Sequence, residues 1–161
     1  MTTTAAYADA ASLAGTDLGF TDWLEVTQDR VNLFADATDD HQWIHVDPER
    51  AKEGPFGGPI AHGFLSLSLT VKFWSELFDL EGVSTKVNYG LDKVRFVSPV
   101  AVGARIRGGA VIAEVTEGPG GYQFAVAQTI EIEGATKTAG VARGLYRLYA
   151  LPSPLRLPTH A

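Results

Sequence analysis

The stretch from residue 62 to 80 constrains this chain most. Phe64, Leu65, Leu67, Leu69, Val71, Phe73, Trp74, Leu77 and Phe78 leave little polar surface on any side of a helix. A helix apolar nearly all round belongs inside a domain, so the rest of the chain must enclose it. Ser, Lys and Glu interrupt the run, which argues against a membrane span.

Enclosing material follows directly. Residues 87–97, 104–115, 122–132 and 141–149 are rich in Val, Ile, Phe and Tyr. Several alternate with polar residues, as in Lys93-Val94-Arg95-Phe96 and Thr129-Ile130-Glu131-Ile132-Glu133. Such alternation marks strands. Glu117-Gly118-Pro119-Gly120-Gly121 is a turn between the second and third of them. Short links between long strands imply an antiparallel meander. One buried helix followed by a meander predicts an α+β domain in which the sheet wraps the helix.

Upstream, Thr27 is a helix N-cap, and Val31, Phe34, Ala35 and Thr38 share one face at spacings of three and four. Polar Asp39-Asp40-His41 suits the helix end. Asp47-Pro48-Glu49 then opens a second, short helix with a cap, a first-position proline and an acidic first turn. The Gly/Pro run at 54–59 ends it. Residues 1–16 are Ala/Thr-rich without firm periodicity and are expected to form a flexible arm. Residues 151–161 carry Pro152, Pro154 and Pro158 and are expected to be an extended tail. The expectation is one domain over 17–150, a size that suits a single core.

Composition removes several function classes. There are no cysteines, so disulfides, thiolate catalysis and Cys-ligated zinc are out. A net charge of −6 disfavours nucleic acid as a partner. No basic segment followed by an apolar run opens the chain, so no secretory signal is read and the cytoplasm is the expected compartment.

The densest polar cluster is Asp36, Asp39, Asp40, His41, His45 and Asp47, with His62 further on. It lies between elements, where a scaffold can hold reactive groups. Aromatics Phe34, Trp43, Phe56 and Phe64 surround it. A carboxylate beside an imidazole can hold one water: the carboxylate accepts its proton, and the imidazole positions it or relays a proton. Each residue also has a plainer reading. Asp40 can be a helix-end carboxylate bonded to nearby backbone, and His45 and His62 can be structural histidines. His41 and His45 are four apart, as a helical metal pair would be, but no third ligand is evident.

The segment Phe34-Ala35-Asp36-Ala37-Thr38-Asp39-Asp40-His41-Gln42-Trp43-Ile44-His45 resembles the hydratase-2 motif of the MaoC-like dehydratase family. Pro59-Ile60-Ala61-His62-Gly63-Phe64-Leu65 resembles the block that opens that family's central helix. Asn88-Tyr89-Gly90-Leu91-Asp92-Lys93-Val94-Arg95-Phe96 and Pro99-Val100-Ala101-Val102-Gly103 resemble its sheet block. The likeness spans roughly residues 20–148. Gln42-Trp43 stands where many members have Asn-Pro, a trait of the nodulation-protein-N-like subgroup. Val71 stands where some members have a serine.

The resemblance implies a hotdog fold paired into a homodimer. It implies reversible syn addition of water to a trans-2-enoyl-CoA, giving the (R)-3-hydroxyacyl-CoA. By carry-over Asp40 is the general base, His45 shares the water and helps deliver a proton to the α-carbon, and the Gly63 backbone N–H binds the thioester oxygen. Trp43, Phe56 and Phe64 are expected to line the substrate. No metal or separate cofactor is expected, because coenzyme A comes with the substrate; neither is a membrane. Two other readings suit the same scaffold: acyl-CoA thioester hydrolysis, and a non-catalytic acyl-binding partner subunit.

Overall fold

The computed structural model describes residues 1–150. Strand β1 (Thr3–Ala6) leads into a 3-10 helix (Tyr7–Leu13), then β2 (Asp17–Phe20) and β3 (Leu24–Glu25). Helix α1 (Gln28–Thr38) follows, with short α2 (Trp43–Val46) and α3 (Pro48–Lys52), and then the long α4 (Gly63–Leu77). Strands β4 (Phe78–Glu81), β5 (Val83–Phe96), β6 (Arg105–Gly118), β7 (Gly121–Ile132) and β8 (Gly140–Ala150) complete the domain.

The caps read from sequence form as local chemistry dictates. Thr27 accepts the Arg30 N–H at 3.2 Å and Asp47 accepts the Arg50 N–H at 3.0 Å, each satisfying a first-turn amide that the helix cannot pair itself. Asp39 ends α1 in the left-handed region with φ 57°, a conformation Asp tolerates better than most residues. That residue turns the chain sharply just before Asp40.

Strands β6, β7 and β8 form the expected antiparallel meander, but β5 does not join it in sequence order. The sheet runs β2-β6-β7-β8-β5, with β3 also on β6. β5 therefore lies at the far edge, paired only with β8. The 97–104 link carries the chain from that edge to β6, and Ala101 bridges Ile60 on the way. This is the hotdog arrangement, a long helix held by an antiparallel sheet.

Two apolar clusters fill the interior. Trp74, Leu77 and Phe78 pack with Phe124, Val126, Tyr146 and Leu148. Leu65, Leu69 and Phe73 pack with Val31, Val100, Ile106 and Ile130 beneath the polar cluster. A Cβ at Gly108 would come within 2.4 Å of the Phe73 side chain, so this glycine lets the helix sit directly on β6.

Three expectations need correction. Residues 3–13 are not a loose arm: β1 pairs in parallel with β4, and Ala10 is fully buried. Alanines and threonines made the segment look featureless, yet small side chains are what permit close packing there. Helix α4 stops at Leu77, earlier than its apolar run, because Phe78–Glu81 is drawn into pairing with β1. Finally, α4 is not buried all round. Phe64, Ser68, Val71, Lys72, Ser75 and Glu76 form an exposed stripe at helical spacing. The expected tail at 151–161 lies outside the described residues.

Candidate active site

Helix α2, absent from the sequence expectations, carries His45. Its first-turn geometry aims the imidazole inward, and the residue is 7% exposed. His45 Nδ1 lies 2.7 Å from the Ile60 carbonyl oxygen. A carbonyl can only accept, so Nδ1 carries the proton and Nε2 remains available. The neutral ring thus offers a lone pair at Nε2. Burial lowers the His45 pKa from its ordinary value; the Ile60 carbonyl works against this, His62 reinforces it, and Asp40 opposes it.

Asp40 follows the left-handed turn at Asp39. Its side chain is 54% exposed, open to solvent. One carboxylate oxygen of Asp40, one ring nitrogen of His45 and one of His62 lie within 4.8 Å of one another. A water making two hydrogen bonds of about 2.8 Å spans roughly that gap. The same trio is the only set of described residues with metal-ligand proximity. His62 fits that role poorly: Nε2 lies 2.9 Å from the Asp40 carbonyl oxygen, and Nδ1 is buried without a partner.

Gly63 begins α4 after His62 as N-cap. The first helix amide to find a helical acceptor is that of Ser66, bonded to the His62 carbonyl at 3.2 Å. The Gly63 N–H is thus one of the first-turn donors an α-helix leaves open, at its positive end. A Cβ at Gly63 would lie 3.2 Å from the Phe96 ring, so the absence of a side chain lets Phe96 close over the helix start.

His45, Gly63 and Ser66 line one cavity of about 320 Å³ with Phe56, Ile60 and Phe96. The wall is largely apolar with a few polar groups, His45, Ser66 and Ser98, the form expected of a small-molecule site. A second concavity of about 370 Å³ lies at the β6–β7 hairpin, lined by Glu117, Tyr122 and Arg147. It holds none of the residues above.

The structure brings His45, Gly63 and Phe56 to one cavity, sets Asp40 beside His45 and sends two candidates elsewhere. Trp43 lies under Arg50, whose guanidinium sits 4.5 Å from its ring centre, and against Gly54; it is not among the cavity walls. Phe64 is 68% exposed on the outer stripe of α4, edge-on to Phe96 at 5.8 Å. Sequence could not choose between inward and outward for either, since each sits at an element boundary. His41 also turns away, with Nε2 2.8 Å from Asp36 Oδ1. The bond to Asp36, foremost, raises its pKa.

Ser66 is a cavity residue that sequence reasoning passed over. Ser68, Thr70 and Ser75 on the same helix each donate back to a helix carbonyl. Ser66 makes no such bond among the described residues and is 5% exposed. Its signal was its place one turn after Gly63. Of the strand cations, Lys86, Arg105 and Arg107 pair with Asp79, Glu133 and Glu131. Lys93 and Arg95 have no carboxylate partner among the described residues.

A family model described as a MaoC like domain matches residues 9–134. The 3-hydroxyacyl-thioester dehydratase Z of Mycobacterium tuberculosis is 49% identical over 151 residues, covering 93% of this chain and 100% of that protein. Nodulation protein N of Rhizobium leguminosarum bv. viciae is 47% identical over 135 residues, covering 82% and 84%. Among solved structures, the unliganded R-hydratase of Pseudomonas aeruginosa superposes with TM-score 0.70 at 20% identity, over 92% of this chain and 91% of that one.

Proposed function

Since the chain belongs to the MaoC-like family, we propose that it is a hydro-lyase that adds water reversibly to a trans-2-enoyl-CoA, giving the (R)-3-hydroxyacyl-CoA. One observation carries this reading. A carboxylate oxygen of Asp40 lies within 4.8 Å of a ring nitrogen of His45, and His45 lines a largely apolar cavity together with Gly63, whose amide is open. The 49% identical dehydratase Z is named for a 3-hydroxyacyl thioester, the product side of the same equilibrium.

The chemistry follows from the groups present. Water lies between Asp40 and His45. Its oxygen bonds to the β-carbon as Asp40 takes a proton, and the C=C electrons move toward the thioester oxygen. The Gly63 N–H and the positive end of α4 stabilise the charge that develops there. His45 relays the proton that the water gave up to the α-carbon. The pair is unchanged over the cycle, and both additions come from the face it occupies, hence syn.

A homodimer belongs to this reading. β5 is exposed along nearly its whole length, and Val87, Tyr89 and Leu91 project from an edge that pairs only on one side. A long apolar edge is a template for another chain. A groove of about 260 Å³ joins that edge to Leu67 and Val71 of α4. A second copy would cover both.

The test is loss of conjugated-thioester absorbance with crotonyl-CoA and longer enoyl-CoAs. Asp40→Asn and His45→Gln should each reduce the rate at least a hundredfold with the fold retained. Wild-type rates in both variants exclude the pair. A free-thiol assay separates thioester hydrolysis, which releases coenzyme A, from hydration, which does not. Binding of an acyl-CoA with neither reaction supports the non-catalytic subunit instead.

A further inference from the structure

We propose that His62 is the positioning residue that holds Asp40 and His45 in register, doing so through the edge and one face of a single buried ring. The proposal rests on the reading of those two residues as the catalytic pair.

His62 is 3% exposed. At its edge, Nε2 lies 2.9 Å from the Asp40 carbonyl oxygen, so Nε2–H donates. This bond joins the N-cap of α4 to the loop that follows α1, 22 residues earlier. On its face, the ring stacks on His45 with centroids 3.8 Å apart and planes 26° from parallel. Phe34 of α1 leans on the ring at 5.0 Å and 52°, so it cannot move aside without disturbing that helix.

The two contacts do different things. Asp40 is otherwise an exposed residue after a left-handed turn, where backbone freedom would let its carboxylate wander. Anchoring its carbonyl removes that freedom close to the reacting group. His45 is already fixed at Nδ1 by Ile60, but one hydrogen bond leaves rotation about that axis. The stacked ring blocks it and keeps water from one face of His45. The buried, unpartnered Nδ1 of His62 fits this role: a neutral ring can tolerate a bare lone pair better than a charge. Reacting groups a fraction of an ångström out of place lose large factors in rate, so a link between the pair matters.

Two variants separate the contacts. His62→Phe keeps a flat ring against His45 and loses the donor to Asp40. His62→Gln keeps a donor and loses the stack. Each should lower kcat about ten- to a hundredfold with crotonyl-CoA KM within twofold. In His62→Gln, water reaches the His45 face, and the acid limb of the pH–kcat profile should move up. The titratable groups facing His45 among the described residues are Asp40 and His62 themselves, so Asp40→Asn serves as the control for a shift from the other side. Nitrogen-15 NMR of the wild type supplies a reading that needs no variant: His62 must carry its proton on Nε2 and His45 on Nδ1.

The proposal is overturned if both folded variants keep kcat within twofold. It is also overturned if kcat falls while the acid limb of His62→Gln stays put, which is what mere structural damage gives. The opposite tautomer at His62 in the wild type overturns it as well, even if neither variant folds. Should Asp40→Asn and His45→Gln retain activity while the NMR result holds, the functional reading fails and the structural link survives.

Discussion

His45 hydrogen-bonds through Nδ1 to the carbonyl of Ile60 at 2.7 Å, a residue 15 positions later and just ahead of the helix that supplies Gly63. This one bond sets which ring nitrogen is free for chemistry. It also ties α2 to the residues just ahead of α4.

The first prediction concerns pH. Burial holds the His45 pKa below its ordinary 6.5, so the neutral ring persists into mildly acidic solution. The acid-side fall of the rate, as Nε2 becomes protonated, should have its midpoint below pH 6.5. Stability follows the same group. The unfolded chain binds this proton first, so the contribution of neutral His45 is complete above pH 6.5 and is lost as pH falls below it. A pH–kcat/KM profile checks the first statement, and thermal melts from pH 7.5 to 5 check the second. An acid limb above 6.5 refutes both.

Gly63→Ala tests the helix start. The added methyl meets the Phe96 ring at 3.2 Å, tight enough that the ring must yield. Phe96 lines the cavity, so its shift alters the walls where the thioester is proposed to sit. A tenfold or larger fall in kcat/KM is expected, with the melting temperature lowered by only a few degrees. Unchanged kinetics would show that the Phe96 ring relocates freely and that the amide tolerates a neighbour.

A third prediction is about stability alone. Tyr146 Oη donates to Gln128 Oε1 at 3.0 Å, and Gln128 Nε2 donates to the Thr70 carbonyl at 3.1 Å. Both side chains are buried. Tyr146→Phe strands the Gln128 oxygen and should cost about 1–3 kcal/mol, read by denaturant titration. Activity per folded molecule should stay within twofold, because the bond lies apart from Asp40 and His45.

The fourth addresses the sheet edge. Leu91 is half-exposed on β5, beside the groove it shares with α4. Leu91→Lys puts a charge where a second copy is proposed to pair, a device natural proteins use to keep edges single. Sedimentation should show a dimer for wild type and a larger monomer fraction for the variant. A wild-type monomer at micromolar concentration removes the dimer reading.

Much of the fold was legible because its signals are local. The caps at Thr27 and Asp47 sit within three residues of the amides they satisfy, so their spacing is visible in the chain. The same holds for strand alternation and the Gly-Pro turn at 118–121. Less legible was anything that depends on what a face meets. The 62–80 run contains Ser68, Lys72, Ser75 and Glu76 at helical spacing, which mark an exposed stripe, but the number of large apolar residues masked it. Trp43 and Phe64 are aromatic and adjacent to the motif, which says nothing of direction; Gly54 and Arg50 claim one, and the outer stripe of α4 takes the other.

By itself the sequence marked α1, α3, most of α4 and strands β5 to β8, and through the family resemblance of its motifs it singled out Asp40, His45 and Gly63 as groups suited to one site. The elements are matters of periodicity and capping over a few positions, and the site residues follow from the likeness of whole motif blocks to the family. Tertiary structure alone decided that β5 lies at the far edge, that residues 3–13 join the domain, and that His62 touches both members of the pair. The physical reason is common to all three. Strand partners, small-residue packing and the carbonyls of Ile60 and Asp40 become available only when distant segments meet, and a backbone acceptor leaves no mark on the sequence that carries it.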